Sequence, residues 1–193
     1  MEGNNLFPVF LKLENLQLLI IGGGYVGMEK LNAVLSNAPA TAIKIVAISI
    51  SKEIKAVAKS FPNIQLIEKA YHIDDLDGND IIIAAINEPA ISQQIAADAK
   101  SKKILINVAD KPELCDFYLG AVVNKGNLKI AISTNGKSPT IAKRVKEMLN
   151  ETLPDEMDAL LNNMQNIRNT ITGDFTEKVK QLNELTKNLS PKK

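Results

Sequence analysis

The stretch Leu18-Leu19-Ile20-Ile21-Gly22-Gly23-Gly24-Tyr25-Val26-Gly27 constrains the fold of this chain more than any other. Four consecutive apolar residues that run into glycines read as a strand buried on both faces, ending in a tight turn. The amphipathic stretch from Val26 to Leu35 reads as the helix that follows, and Ala42 to Ile48 as a second strand. Gly22, Gly24 and Gly27 stand at the spacing GxGxxG, and each has a physical task. Gly22 allows the turn, Gly24 lets the backbone approach a pyrophosphate, and Gly27 lets helix and strand pack closely. The free N–H groups and positive end of the helix suit a diphosphate. Tyr25 and Val26, which open that helix, join the three glycines as cofactor-binding candidates.

The same pattern continues along the chain. Ser51 reads as the cap of a second helix that stops before Phe61-Pro62, and Ile64 to Ile67 as a third strand, shorter and more exposed. Tyr71 to Gly78 is a polar connection with room for one helical turn. Asp80 to Ala85 is a buried strand, Pro89 opens a helix, and Ile104 to Val108 is the fifth strand. Alternation of this kind implies an α/β fold, a Rossmann-type parallel sheet with helices on both faces. Before the first strand, Leu6 to Leu13 is expected either to lie against it as an extended segment or to form a lip of the site.

Beyond Asp110 the pattern changes. Phe117 to Val123 and Leu128 to Ser133 read as strands of a sheet with one more exposed face, followed by a helix from Pro139 to about Leu149 capped by Ser138. After Pro154, Met157, Leu160, Leu161, Met164, Ile167 and Ile171 recur at helical spacing and read as core. Asp174 with Glu177 resembles a capping box for a last helix, and Pro191 to Lys193 is expected to fray. The expected organisation is a nucleotide-binding domain over 1–113, a small α+β dimerisation and cleft unit over 114–150, and a C-terminal helical region over 151–193.

Composition narrows the partners. With 23 Lys and Arg against 22 Asp and Glu, the net charge of +1 offers no general attraction to nucleic acid or an anionic membrane. No apolar run approaches the ~20 residues of a membrane span. Met1 to Asn5 lacks a basic segment and Pro8 and Lys12 break Phe7 to Leu13, so no signal peptide is expected and the expected location is cytoplasmic. One cysteine and one histidine exclude an intrachain disulfide and a cysteine-based zinc cluster. His72 among Asp74, Asp75 and Asp77 lies in a connection without a buried scaffold, so no protein metal site is expected.

Chemistry is expected at the carboxyl ends of the strands. The second strand ends without the acid that usually holds the adenosine ribose about 20 residues past the first glycine. Ser49 and Ser51 are the hydroxyls nearby, and no arginine is placed to hold a 2′-phosphate, so NAD is preferred over NADP. Asn87 follows the fourth strand and Val108 ends the fifth; both are placed with the cofactor. Asp110 is either a carboxylate at the nicotinamide end or a turn aspartate. Lys111, Lys137, Lys143 and Arg144 either hold a polyanionic ligand or form a solvated face. Cys115 is either a thiol nucleophile without a neighbouring base or a packing residue.

Four segments together resemble one family. They are Leu6 to Leu11, Gly22 to Lys30, Asn107-Val108-Ala109-Asp110-Lys111-Pro112-Glu113-Leu114-Cys115-Asp116-Phe117, and Ile130-Ala131-Ile132-Ser133-Thr134-Asn135-Gly136-Lys137-Ser138-Pro139. They are similar to the precorrin-2 dehydrogenase / sirohydrochlorin ferrochelatase family of sirohaem biosynthesis, from about Leu6 to Leu149. The resemblance implies NAD-dependent oxidation of precorrin-2 to sirohydrochlorin in a homodimer whose subunits meet through the segment after Asp110. It implies that Asp110 is the residue on which activity most depends, in dehydrogenation and chelation alike; a proton must also leave as the macrocycle gains conjugation, and Asp110 is the expected general base. It also implies a tetrapyrrole cleft near Thr134, and Fe2+ as a substrate where a chelatase step is added. Gly27 stands where the family often has alanine, and Ile86-Asn87-Glu88 where it often has Thr-Asp-Asp. The rival reading is a non-catalytic dinucleotide- or tetrapyrrole-binding regulator on the same fold; a reductase of a small neutral substrate is a further one.

Overall fold

The computed structural model describes residues 3–187. The chain separates into two units, one ending at Leu119 and one beginning at Gly120.

The first unit is built on β1 (Gln17–Ile21), where Leu18 to Ile21 are all buried. It is followed by α1 (Tyr25–Leu35), β2 (Ala42–Ala47), α2 (Lys52–Ala58), β3 (Ile64–Glu68), β4 (Ile81–Ala84), α3 (Pro89–Ser101) and β5 (Leu105–Val108). The five strands form a parallel sheet in the order β3-β2-β1-β4-β5, with Ile20 opposite Ile45 on one side and Ile83 on the other. Alternation along the strands supplies a core on each face. Leu18, Ile20, Ile43, Ile45 and Ile83 join Leu31 and Val34 of α1 and Ile54 of α2. Leu19, Ile21, Val46, Ile82 and Ile106 join Ile95 and Ala99 of α3. The strand order reverses between β1 and β4, which opens a crevice at their carboxyl ends.

Ser51 caps α2 through its Oγ, and Pro89 opens α3, as their positions in the sequence imply. A 3₁₀ turn at Ile73–Leu76 interrupts the polar connection; His72 caps it and Asp75 reaches back to the His72 N–H at 2.9 Å. The second strand stops at Ala47, one residue short of the expected end. The segment before β1 does not lie against it: Phe7, Val9 and Phe10 are exposed, and Leu13 packs on the core.

In the second unit, β6 (Ala121–Lys125) and β7 (Leu128–Ile132) form an antiparallel hairpin around Gly126, whose φ is +61°. The strand expected from Phe117 therefore begins four residues later. The reason is local: the Asp116 carboxylate accepts from the Ile106 N–H at 3.0 Å, the Asp116 N–H donates to the Ile106 carbonyl, and Asn107 Nδ2 donates to the Phe117 carbonyl at 2.8 Å. These bonds fasten 115–117 along β5. Three helices follow, α4 (Pro139–Thr152), α5 (Met157–Thr170) and α6 (Phe175–Thr186). Ser138 caps α4, and Asp174 caps α6 by accepting the Glu177 N–H at 2.9 Å. Asp158 of α5 accepts from the N–H and Nδ2 of Asn127, and Lys125 pairs with Asp155, so the start of α5 is tied to the hairpin. The apolar stripes of the tail are not the closed core that their spacing implies. Neither α5 nor α6 has a buried residue, and Phe175 and Leu185 are exposed.

Candidate functional site

At the end of β1 the chain turns through Gly22 with φ +126°, a conformation open to glycine. The Gly22 N–H donates to the Val46 carbonyl at 2.9 Å and the Ala85 N–H to the Ile21 carbonyl at 2.7 Å, so β2 and β4 clamp the turn from both sides. A Cβ on Gly22 would stand 2.3 Å from the Ala85 oxygen. One on Gly23 would stand 2.4 Å from the Ser49 oxygen, and one on Gly27 2.2 Å from the Gly22 oxygen. These three glycines are required by the protein's own backbone, Gly27 included. Gly24 is different: a Cβ there would meet nothing within 4 Å. It caps α1 and faces open space, so no contact among the described residues requires its lack of a side chain.

Above Gly24, α1 presents the N–H groups of its first turn, which have no partner within the helix, and no acid stands in that turn. Tyr25 is 84% exposed. Open backbone donors, the positive helix end and a side-chain-free approach together fit a diphosphate. The geometry of the turn therefore suits a dinucleotide.

On the β2 side, Ser49 is exposed, and its carbonyl packs against Gly23 while the Ser51 N–H donates to the Gly23 carbonyl at 2.9 Å. No acid ends β2, but one arrives from the neighbouring strand. Glu68, the last residue of β3, sits in register beside Ala47. Its Oε1 accepts from the Ile50 N–H and from Lys55 Nζ, both at 2.9 Å. The Ile50 N–H, then Lys55, hold this carboxyl below its ordinary range. Sequence reasoning looked for the acid on β2 itself; the signal for Glu68 was its place at the end of the strand next in the sheet.

On the β4–β5 side, Asn87 is exposed in the loop after β4. Val108 is a core residue, and its N–H and carbonyl bond the Cys115 thiol at 3.1 and 3.2 Å, so what it can offer a cofactor is position and not a free side chain. Burial pushes the Cys115 thiol up, against the lowering effect of the Val108 N–H, which makes it a packing residue and a poor nucleophile. Asp110 is exposed, with φ +59°, and its carboxylate has no hydrogen bond or ion pair among the described residues. A non-glycine residue in that region is a strained one, held there by its surroundings. Lys111 is half-buried and turns away from solvent, donating from Nζ to Ser92 Oγ of α3 at 2.7 Å. The turns after β1, β4 and β5 thus bring Gly22, Asn87 and Asp110 to one edge of the sheet.

The other expected substrate contacts belong to the second unit. Thr134 Oγ1 accepts the Ser138 N–H and donates to the Ser138 carbonyl, both at 3.1 Å, which closes the loop ahead of α4. Asn135 and Gly136 both have positive φ there. Lys137 and Lys143 are exposed, and Arg144 is paired with Glu147 at 2.7 Å. No group of three His, Cys, Asp or Glu side chains among the described residues is spaced to hold a metal ion. No helix among them is long and apolar enough to cross a membrane.

A parallel sheet in this order, with a glycine cradle where the order reverses, defines a dinucleotide-binding protein. Residues 9–121 match the family model described as "Putative NAD(P)-binding", and residues 125–152 match the model "Sirohaem biosynthesis protein central". The chain is 39% identical over 150 residues to the sirohaem synthase of Psychrobacter arcticus, covering 78% of this chain and 27% of that protein. It is 32% identical over 174 residues to the sirohaem synthase of Methylococcus capsulatus, covering 90% and 34%. The chain thus spans about a third or less of the length of these relatives. A solved structure of SirC, precorrin-2 dehydrogenase, shares the fold with a TM-score of 0.74 at 24% identity, over 93% of this chain and 89% of that one. The chain belongs to this NAD(P)-binding family, and over most of its length it is similar to one part of the sirohaem synthases.

Proposed function

We propose that the chain oxidises precorrin-2 to sirohydrochlorin with NAD+, with Asp110 as the base. The observation that carries the reading is an exposed carboxylate at positive φ in the turn after β5, unpaired among the described residues, on the edge of the sheet that carries the glycine turn. The succession of the two matched families along one chain supports the same substrate.

In this reading Gly22 to Gly27 hold the diphosphate, Ser49 lies toward the adenosine and Asn87 toward the nicotinamide. Bound NAD+ supplies the hydride acceptor. The substrate loses a hydride and a proton as its macrocycle gains conjugation, leaving sirohydrochlorin, NADH and H+. Asp110 takes the proton once an oxygen lies ~3 Å from the atom that carries it. Its freedom from any ion pair among the described residues keeps it available for that transfer. Lys111 serves by holding the loop that carries Asp110 onto Ser92; on the second unit, the exposed Lys137 and Lys143 offer positive charge to carboxylates. A homodimer completes the reading, and the exposed Ile141, Met148 and Phe175 of the second unit support it.

The test is anaerobic conversion of precorrin-2 with NAD+, followed by absorbance. The wild type is expected to turn over, and Asp110→Asn to lose at least about 10²-fold in kcat. Full activity in Asp110→Asn would remove the base from that residue. An inactive wild type that still binds NAD+ would favour the regulator. Fe2+ insertion into sirohydrochlorin, assayed without NAD+, reads the added chelatase step, and a background rate leaves a dehydrogenase alone. The same preparation sedimented at micromolar concentration is expected at twice the chain mass; a monomer would remove the homodimer.

A further inference from the structure

The family match leaves open which dinucleotide the cradle takes. We propose that Glu68, delivered from β3, sets the preference for an adenosine 2′-hydroxyl over a 2′-phosphate. This rests on the reading of Gly22 to Gly27 as a dinucleotide cradle.

In a fold of this order the adenosine ribose lies by the loop after β2, and the choice of nucleotide is made by an acid or a cation standing there. Residues 48–51 form that loop, and it is fastened to the glycine turn through the Ser51 N–H and the Gly23 carbonyl. It offers hydroxyls at Ser49 and Ser51 and no charge of its own before Lys52. Glu68 supplies the missing charge at 2.9 Å from the Ile50 N–H, the peptide group that follows Ser49. The same oxygen engages Lys55 at 2.9 Å, a cation that could otherwise turn to a phosphate. Lys69, the residue after Glu68, is committed to the largely buried Asp75 at 2.6 Å. Glu68 therefore acts twice against a 2′-phosphate, as a negative charge beside the loop and as the partner that occupies Lys55. A neutral 2′-hydroxyl meets neither penalty. This is specificity by exclusion, with the repulsive element taken from the adjacent strand.

Glu68→Gln separates this role from support of the loop. Its amide oxygen can still accept the Ile50 N–H, but it has no charge and releases Lys55. Titration calorimetry with NAD+ and NADP+ on the whole chain reads both affinities without turnover. The wild type is expected to prefer NAD+. In Glu68→Gln the ratio Kd(NADP+)/Kd(NAD+) should fall about tenfold, less at high salt, because one charge and one ion pair have been removed. Lys55→Gln, which leaves Glu68 uncompensated, should move the ratio the other way. A ratio unchanged in Glu68→Gln, with both affinities weakened alike, would overturn the inference and leave Glu68 as loop support. A wild type that prefers NADP+ would overturn it as well. Failure of the wild type to bind either nucleotide would instead strike the cradle reading itself.

Discussion

The two units are built on different terms. In the first, the sheet is covered on both faces, and β1, β4 and the inner sides of α1 and α3 are closed to solvent. In the second, Val123 and Ala142 are the buried apolar side chains among the described residues, while Ile141, Met148, Phe175 and Leu185 are exposed. A parallel sheet with crossover helices buries its apolar surface within one chain. A two-stranded hairpin with three helices has too little surface of its own to do so, and a partner is the usual remedy. The first unit therefore supplies a rigid platform for chemistry, and the second supplies surface.

Core truncation breaks the comparison most directly. Ile82→Ala in β4 is expected to cost about 3–4 kcal/mol, because the cavity it leaves is sealed by sheet and helix. Leu185→Ala in α6, 57% exposed, is expected to cost under ~1 kcal/mol. Urea unfolding of both variants checks this, and equal costs would mean that the helical tail is packed as tightly as the sheet.

A smaller effect sharpens the boundary. Cys115 is held by Val108 and Lys111 in the segment that runs along β5. Burial raises the thiol, so less of it is thiolate at pH 8 than for a free cysteine, and its reactivity should climb only at higher pH. Alkylation of the native protein at pH 8 is expected to be at least ~10-fold slower than that of the urea-unfolded chain. Equal rates would mean that 115–119 is not fastened to the first unit.

What the sequence disclosed follows the same division. Buried strands declare themselves as apolar runs, and β1, β4 and β5 lie within a residue or two of where Leu18 to Ile21, Asp80 to Ala85 and Ile104 to Val108 place them. Caps are local chemistry, so Ser51, Ser138 and Asp174 were legible too. Position at the sheet edge was also legible, for Gly22, Gly24, Asn87 and Asp110. Side-chain partnership was not. Lys111 turns onto Ser92, Thr134 closes its own loop and Arg144 pairs along its helix, and each depends on contacts that spacing does not encode. Glu68 was hidden for a related reason: strands that are neighbours in space are distant in sequence. The helical periodicity of the tail reported its apolar stripes correctly but not what covers them.

The central claim is that the glycine turn is shaped partly by the chain and partly by a nucleotide, and Gly24 separates the two. A Cβ on Gly24 meets nothing within 4 Å, so Gly24→Asp is expected to melt with the wild type, whereas Gly22→Ala collides with the Ala85 carbonyl and should lose about 2 kcal/mol or more. Titration calorimetry of NAD+ into wild type and Gly24→Asp is the most direct measurement. Binding by the wild type, and loss of at least ~100-fold in a Gly24→Asp protein of unchanged melting temperature, is the result expected when a side chain and a negative charge are set against the diphosphate. Equal NAD+ affinity in the two proteins would contradict the account, because the open space above Gly24 would then hold no phosphate.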